Sequence, residues 1–125
     1  MTLQTLTYTF FGRKGNTIAK EWSHTGVVGS GDLEILMEQK SMEGAVDVQV
    51  STPVHGFEYI WEMVLQNFVE ENALGDLSIS INDNNATPFI VSLRLTQALK
   101  EAGGILSGDE KGDAEGKQGK EGQES

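Results

Sequence analysis

The chain has 125 residues and a mass of 13.6 kDa, and its 19 acidic against 9 basic side chains give a formal net charge of −10. That length fits one domain of roughly 100–200 residues, and a hydrophobic fraction of 38% suffices for one modest core. No apolar run approaches the ~20 residues of a membrane span, no basic-then-apolar leader is expected at the start, and zero cysteines exclude disulfides and a thiol nucleophile. A pI near 4.5 argues against nucleic acid as a partner, which leaves an acidic, single-domain protein expected in the cytoplasm.

Leu6, Tyr8 and Phe10 alternate in a Thr-rich run that predicts a first strand, and Gly12-Arg13-Lys14-Gly15-Asn16 breaks it as a turn. A second extended run passes through Ile18 and Trp22 to Val27-Val28. After Gly29-Ser30-Gly31 a third follows, with Leu33, Ile35 and Met37 on one side and Asp32, Glu34 and Glu38 on the other. A turn over 41–44 leads to Val46, Val48 and Val50, again at period two. Four strands joined by short turns predict an antiparallel meander with one buried face.

Helical spacing then takes over. Phe57, Ile60, Trp61, Val64, Leu65, Phe68 and Val69 form one apolar stripe, with Glu58, Glu62, Gln66 and Glu70 outside it and 72–75 ending the helix. Leu77, Ile79 and Ile81 predict a fifth strand, closed by Asn82-Asp83-Asn84-Asn85. Thr87-Pro88 reads as an N-cap followed by a proline at the first helical position. The second helix carries Val91, Leu95, Ala98, Leu99 and Ala102 and stops at Gly103-Gly104. The fold class is therefore α+β, in the order ββββ-α-β-α, with two helices on one face of a mainly antiparallel sheet. From 107 to 125 there are five Gly, nine charged residues and a single apolar side chain, Ala114. Such a stretch buries too little to offset the ~1–2 kcal/mol per residue of backbone ordering. The expected division is a folded domain at 1–104 and a disordered, acidic, Gly-rich tail at 105–125.

Catalytic raw material is thin. The two histidines, His24 and His55, are flanked by strand or turn residues and read as ordinary surface or partly buried side chains. Ser30, His24 and Asp32 could be imagined as a triad, but the nucleophile elbow needs G-x-S-x-G and the chain has Val28-Gly29-Ser30-Gly31-Asp32. The run from Gly26 to Gly31 reverses the dinucleotide fingerprint and no helix follows it. The polar cluster at 82–85 lacks the spacing and glycine of a calcium loop. Trp22, Trp61 and the phenylalanines fit core packing. What stands out is Ser30 between Gly29 and Gly31. Flanking glycines remove Cβ bulk and permit φ > 0, so a bulky substituent can reach the hydroxyl. A tight hairpin with an incidental serine explains the same residues.

The segment Thr25-Gly26-Val27-Val28-Gly29-Ser30-Gly31-Asp32-Leu33-Glu34-Ile35-Leu36 resembles the modification-site segment of the acyl carrier (δ) subunits of malonate decarboxylases. The stretch from Ala86-Thr87-Pro88 through Leu93-Arg94-Leu95 to Gln97-Ala98-Leu99 resembles the same family's C-terminal signature. The likeness spans about residues 6–102, and the acyl carrier subunit of citrate lyase is similar at greater distance. The approach through Trp22 to His24 and the charged tail after Gly104 depart from the family pattern.

The resemblance implies that Ser30 carries phosphoribosyl-dephospho-coenzyme A through a phosphodiester, with Gly29 and Gly31 giving it access. The terminal thiol of that group would hold an acetyl or malonyl thioester, which accounts for a chain without cysteine. The implied role is a non-catalytic carrier within malonate decarboxylase, with an acyl transferase subunit, a decarboxylase subunit and a prosthetic-group transferase as partners. Ordinary acyl carrier proteins are four-helix bundles with Asp-Ser-Leu at a helix start, and this chain has no such tripeptide. Two other readings stay open: a non-catalytic acidic interaction module with Ser30 unmodified, and a small serine hydrolase that needs a histidine beside Ser30.

Overall fold

The computed structural model describes residues 3–106. In chain order the elements are β1 (Gln4–Phe11), β2 (Thr17–Ile18), β3 (Trp22–Gly26), β4 (Asp32–Gln39), β5 (Ala45–Thr52), α1 (Glu58–Asn72), β6 (Leu77–Asn84), α2 (Pro88–Glu101) and β7 (Ile105–Leu106). Five strands form the main sheet in the order β1-β5-β6-β4-β3, while β2 and β7 form a small ladder of their own. Neighbours in the main sheet are antiparallel except β5 and β6, which run parallel. Among the long strands and helices the order ββββ-α-β-α holds, and the sheet is mainly antiparallel.

One face of the sheet is the core. Leu33, Ile35 and Met37 on β4, Val46, Val48 and Val50 on β5, and Ile79 and Ile81 on β6 are all buried there. Trp61, Leu65, Phe68 and Val69 from α1 and Val91, Leu95 and Ala98 from α2 pack into the same cluster. Both helices therefore cover one face, as the apolar stripes require. The other face carries Glu34, Glu38, Asp47, Gln49, Ser78, Ser80 and Asn82.

The expected meander is not what forms. Period-two alternation assigns a residue to a face but names no neighbouring strand. The α1 crossover returns β6 parallel to β5, so β6 enters the sheet between β5 and β4. The second extended run also divides. Thr17 and Ile18 pair with β7, Trp22–Gly26 make β3, and Val27 and Val28 lie beyond the strand. On β3 the inward residues are Ser23 and Thr25, so Trp22 projects from the open face and is 60% exposed. Core packing therefore holds for Trp61 and Phe68 and in part for Phe10, but not for Trp22, Phe11, Phe57 or Phe89, which are exposed. The folded chain also runs past Gly104, because Ile105 and Leu106 pair with Ile18 and Thr17. The remainder of the expected tail, 107–125, lies outside the described residues.

At the amino ends of the parallel strands, three segments meet around Asp76. Its Oδ1 accepts from the backbone N–H of Met42 (2.8 Å) and Gly44 (2.9 Å), and its Oδ2 from Gly15 (2.7 Å). These donors hold the Asp76 carboxyl below the usual carboxylate range. Backbones approach closely here: a Cβ on Gly12 would lie 1.6 Å from the Leu74 carbonyl oxygen, and one on Gly75 2.3 Å from that of Arg13. Asn16 adds a cap, its Nδ2 donating to the Asn72 and Ala73 carbonyls at the end of α1.

Candidate functional site

The opposite edge of the sheet, where β5 and β6 end, carries Ser30. The turn from β3 to β4 is short and tightly bonded. Gly29 N–H donates to Val27 O (3.0 Å), Asp32 N–H to Gly29 O (3.0 Å), and Gly31 N–H to Asn84 O on β6 (2.8 Å). Gly31 has φ +74°, a conformation that glycine adopts without the cost a Cβ would bring. A Cβ built on Gly29 or Gly31 meets nothing within 4 Å, so both sides of the serine are open space. Ser30 itself is exposed, and its hydroxyl makes no hydrogen bond among the described residues. Val27 and Val28 beside it are 66% and 49% exposed.

Both shoulders of the turn are fastened to α2. Asp32 at the start of β4 takes both ends of the Arg94 guanidinium, Nε at 2.9 Å and Nη2 at 2.7 Å. Arg94 Nη1 donates to Gln97 Oε1 (2.7 Å), Gln97 Nε2 donates to Glu101 Oε2 (3.0 Å), and Glu101 Oε1 accepts from Thr25 Oγ1 on β3 (2.7 Å). The Arg94 hydrogen bonds, helped by the Leu33 N–H, lower the Asp32 pKa to about 2. Thr25, and then Gln97, likewise hold Glu101 below its ordinary value. A two-pronged guanidinium fixes orientation as well as distance, which a single ammonium does not. Sequence reasoning placed Thr25, Arg94 and Gln97 only within family-like stretches and missed Glu101. The available signal was the polar row Arg94, Gln97 and Glu101, at helical spacing beside the apolar stripe.

The imagined triad does not assemble. His24 Nε2 donates to Glu34 Oε2 (2.8 Å) on the open face, where Asn82 Nδ2 also donates to Glu34 Oε1 (2.8 Å). Asn82 and then His24 draw the Glu34 carboxyl below its usual range. Asp32, committed to Arg94, has no imidazole to orient. Neither His24 nor Asp32 is thus placed to serve Ser30, and a hydrolase built on that pair is ruled out by their partners. His55 is exposed.

A groove of about 290 Å³ opens on the same edge, between the amino ends of the two helices. Phe57, Ile60, Trp61 and Val64 line it from α1 and its cap, and Ala86, Pro88 and Val91 from α2 and its approach. Its polar wall is the end of β6. There Asp83 accepts from Thr52 Oγ1 (2.8 Å) and from the N–H groups of Asn85 (3.2 Å) and Ala86 (2.9 Å). The Thr87 hydroxyl caps α2 by accepting from Ile90 N–H (3.3 Å).

The family model that describes the malonate decarboxylase delta subunit (MdcD) matches residues 20–102. The malonate decarboxylase acyl carrier protein of Malonomonas rubra is 54% identical over 79 residues, covering 63% of this chain and 70% of that protein. Its counterpart in Xanthomonas euvesicatoria is 46% identical over 98 residues, 78% of this chain and 93% of that one. Among solved structures, a chain of a Pseudomonas malonate decarboxylase hetero-tetramer in complex with malonate is similar, with a TM-score of 0.67 and 36% identity. The match covers 79% of this chain and 98% of that one. The family model covers most of the described residues and the relatives agree with it, so the chain belongs to the malonate decarboxylase delta-subunit family of acyl carrier proteins.

Proposed function

We propose that the chain is the acyl carrier subunit of a malonate decarboxylase, located in the cytoplasm, with Ser30 as the point at which phosphoribosyl-dephospho-coenzyme A is attached. The observation that supports this reading best is the presentation of Ser30. Its hydroxyl is exposed and unbonded among the described residues, its neighbours Gly29 and Gly31 leave open space on both sides, and the turn is tied to β6 by the Gly31 N–H and to α2 by the Asp32 side chain. The open space beside both glycines leaves room for a bulky phosphodiester at the hydroxyl. When bound, the group supplies the thiol for acyl attachment that a chain with no cysteine lacks.

The chain's own residues hold and present. Ser30 Oγ is the anchor atom, Gly29 and Gly31 give access, and the Asp32–Arg94 pair keeps the turn from yielding when a partner approaches. His24 and Asp32, the pair that could have been imagined as base and orienting group for Ser30, are engaged elsewhere. In this reading the chemistry of acyl exchange and decarboxylation belongs to partner subunits, an acyl transferase and a decarboxylase, and loading belongs to a prosthetic-group transferase. A tethered arm raises the effective concentration at each partner site to the order of mM. Membership of a hetero-tetramer by the Pseudomonas neighbour supports such partners.

Peptide mass spectrometry on protein coproduced with its loading partner tests the reading. The peptide containing Ser30 should be heavier by the arm, and Ser30→Ala should fold normally yet stay at the unmodified mass. An unmodified Ser30 under loading-competent conditions, or an arm on the Ser30→Ala chain, would overturn it.

A further inference from the structure

We infer that the groove between the amino ends of α1 and α2 is the resting site of the uncharged acyl end of the Ser30-borne arm, and that it leaves a carboxylate-bearing acyl group outside. This inference rests on the carrier reading of Ser30 and adds a second site to it.

Ser30 and the groove share a wall. Gly31 N–H donates to Asn84 O at 2.8 Å, and the next residue, Asn85, lines the groove. An arm anchored at Ser30 therefore reaches the groove by crossing the end of one strand. The lining is mostly apolar, from Ile60, Trp61, Val64, Pro88 and Val91 among others. A volume of about 290 Å³ is at the bottom of the ~300–1,000 Å³ range of small-molecule sites, so it admits the acyl terminus rather than the whole arm.

Charge decides which acyl group it takes. Among the described residues, the one ionisable group in the lining is Asp83, and no lysine or arginine lines it. The Asp83 carboxylate is already committed to Thr52, Asn85 and Ala86. A second carboxylate brought into this wall would lose water beside the Asp83 charge. The helix ends do little to offset that: Thr87 already takes the Ile90 N–H, Pro88 has none, and Glu58 puts a further negative charge in the first turn of α1. An acetyl end brings no charge and covers the apolar lining. The groove thus shelters the acetyl form and leaves the malonyl form in solution, where a partner subunit meets it.

The test uses full-length chain whose loading at Ser30 has been verified by mass, prepared in acetyl and malonyl forms. Hydroxylamine cleavage of each thioester is compared with that of free acetyl- and malonyl-dephospho-coenzyme A. If the acetyl end leaves the groove about 10% of the time or less, its cleavage should slow about tenfold or more. The malonyl form should react at the free rate. Two separate variants, Ala86→Leu and Val64→Phe, should still load but lose the protection. In a Trp22→Phe background, which leaves Trp61 as the sole indole, acetylation should shift the fluorescence and malonylation should not. An acetyl arm cleaved at the free rate, or protection that survives both groove-filling variants, would overturn the site. Equal protection of the malonyl form would overturn the charge selection. Protection that appears only as protein concentration rises would assign the groove to a second copy instead. A chain that never loads at Ser30 refutes the carrier reading itself, and the mass shows this before any rate is measured.

Discussion

Asp76→Asn is the perturbation that separates the folding hub from the site. Asn tolerates the left-handed backbone that Asp76 adopts (φ +52°), so the substitution leaves main-chain strain unchanged. Its single side-chain oxygen can still accept from Met42 and Gly44, but its amide group then faces the Gly15 N–H, donor against donor. Asp76 is 9% exposed, so water does not make good the loss. One charge-assisted hydrogen bond removed from such a place costs about 2 kcal/mol. For a domain of this size that lowers Tm by about 8–16 °C.

The pH dependence has a definite sign. Three backbone donors depress the folded pKa of Asp76, so the stability it contributes is complete above the unfolded value of about 3.9 and is lost as pH falls through the folded value. Thermal melts of wild type and Asp76→Asn should differ by a constant amount above about pH 5 and converge below about pH 4. A Tm difference under about 3 °C at neutral pH, or a gap that does not narrow in acid, would refute the hub.

Arg94→Ala should raise amide exchange at Gly31 and Asp32 and slow the loading of Ser30. Arg94→Lys should recover only part, because an ammonium cannot span both carboxylate oxygens; unchanged exchange and loading in the alanine variant would show that the turn holds itself. Asp32 with a pKa of about 2 keeps the brace charged in mild acid and loses it only as pH falls through about 2, so Asp32 should add no acid limb to loading above pH 4. A Cβ on Gly29 meets nothing within 4 Å, so Gly29→Val should change stability by no more than about 0.5 kcal/mol while impeding loading. Gly31→Val must adopt φ +74° and should lower Tm as well; a Gly29→Val chain loaded at the wild-type rate would remove the case for open space beside the serine.

Local features were legible in the sequence where local physics decides them. The alternation of Leu33, Ile35 and Met37 identifies the core face of β4, and Thr87-Pro88 identifies the start of α2, where the hydroxyl does cap Ile90. Strand neighbours were not legible, because Val48 shows which face it occupies but not that Ile79 lies beside it and Met37 does not. Trp22 misled because an apolar residue on an edge strand can point away from the helices, while small polar Ser23 and Thr25 fit beneath α2. Ser30 was visible through its glycines. The brace was not, since Asp32 and Arg94 are 62 residues apart and no spacing rule joins them. Asp76 was hidden for the same reason, its donors lying 61, 34 and 32 residues away.

The two edges of the sheet divide the work of the molecule. At the amino ends of β5 and β6, backbones cross within contact at Gly12 and Gly75, and one carboxylate ties three turns. At the carboxyl ends the chain opens, because α1 and α2 both start there and diverge from strands that have stopped pairing. Crevices outside the carboxyl ends of parallel strands recur as ligand sites for this geometric reason. The antiparallel β3–β4 hairpin brings Ser30 to that open edge rather than the closed one. Perturbations should therefore sort by edge. Asp76→Asn should lower Tm while Ser30 still loads below the melting transition, and Gly29→Val should block loading while Tm holds. If the two variants instead changed both properties in proportion, the division would fail, and presentation of Ser30 would depend on the stability of the whole domain.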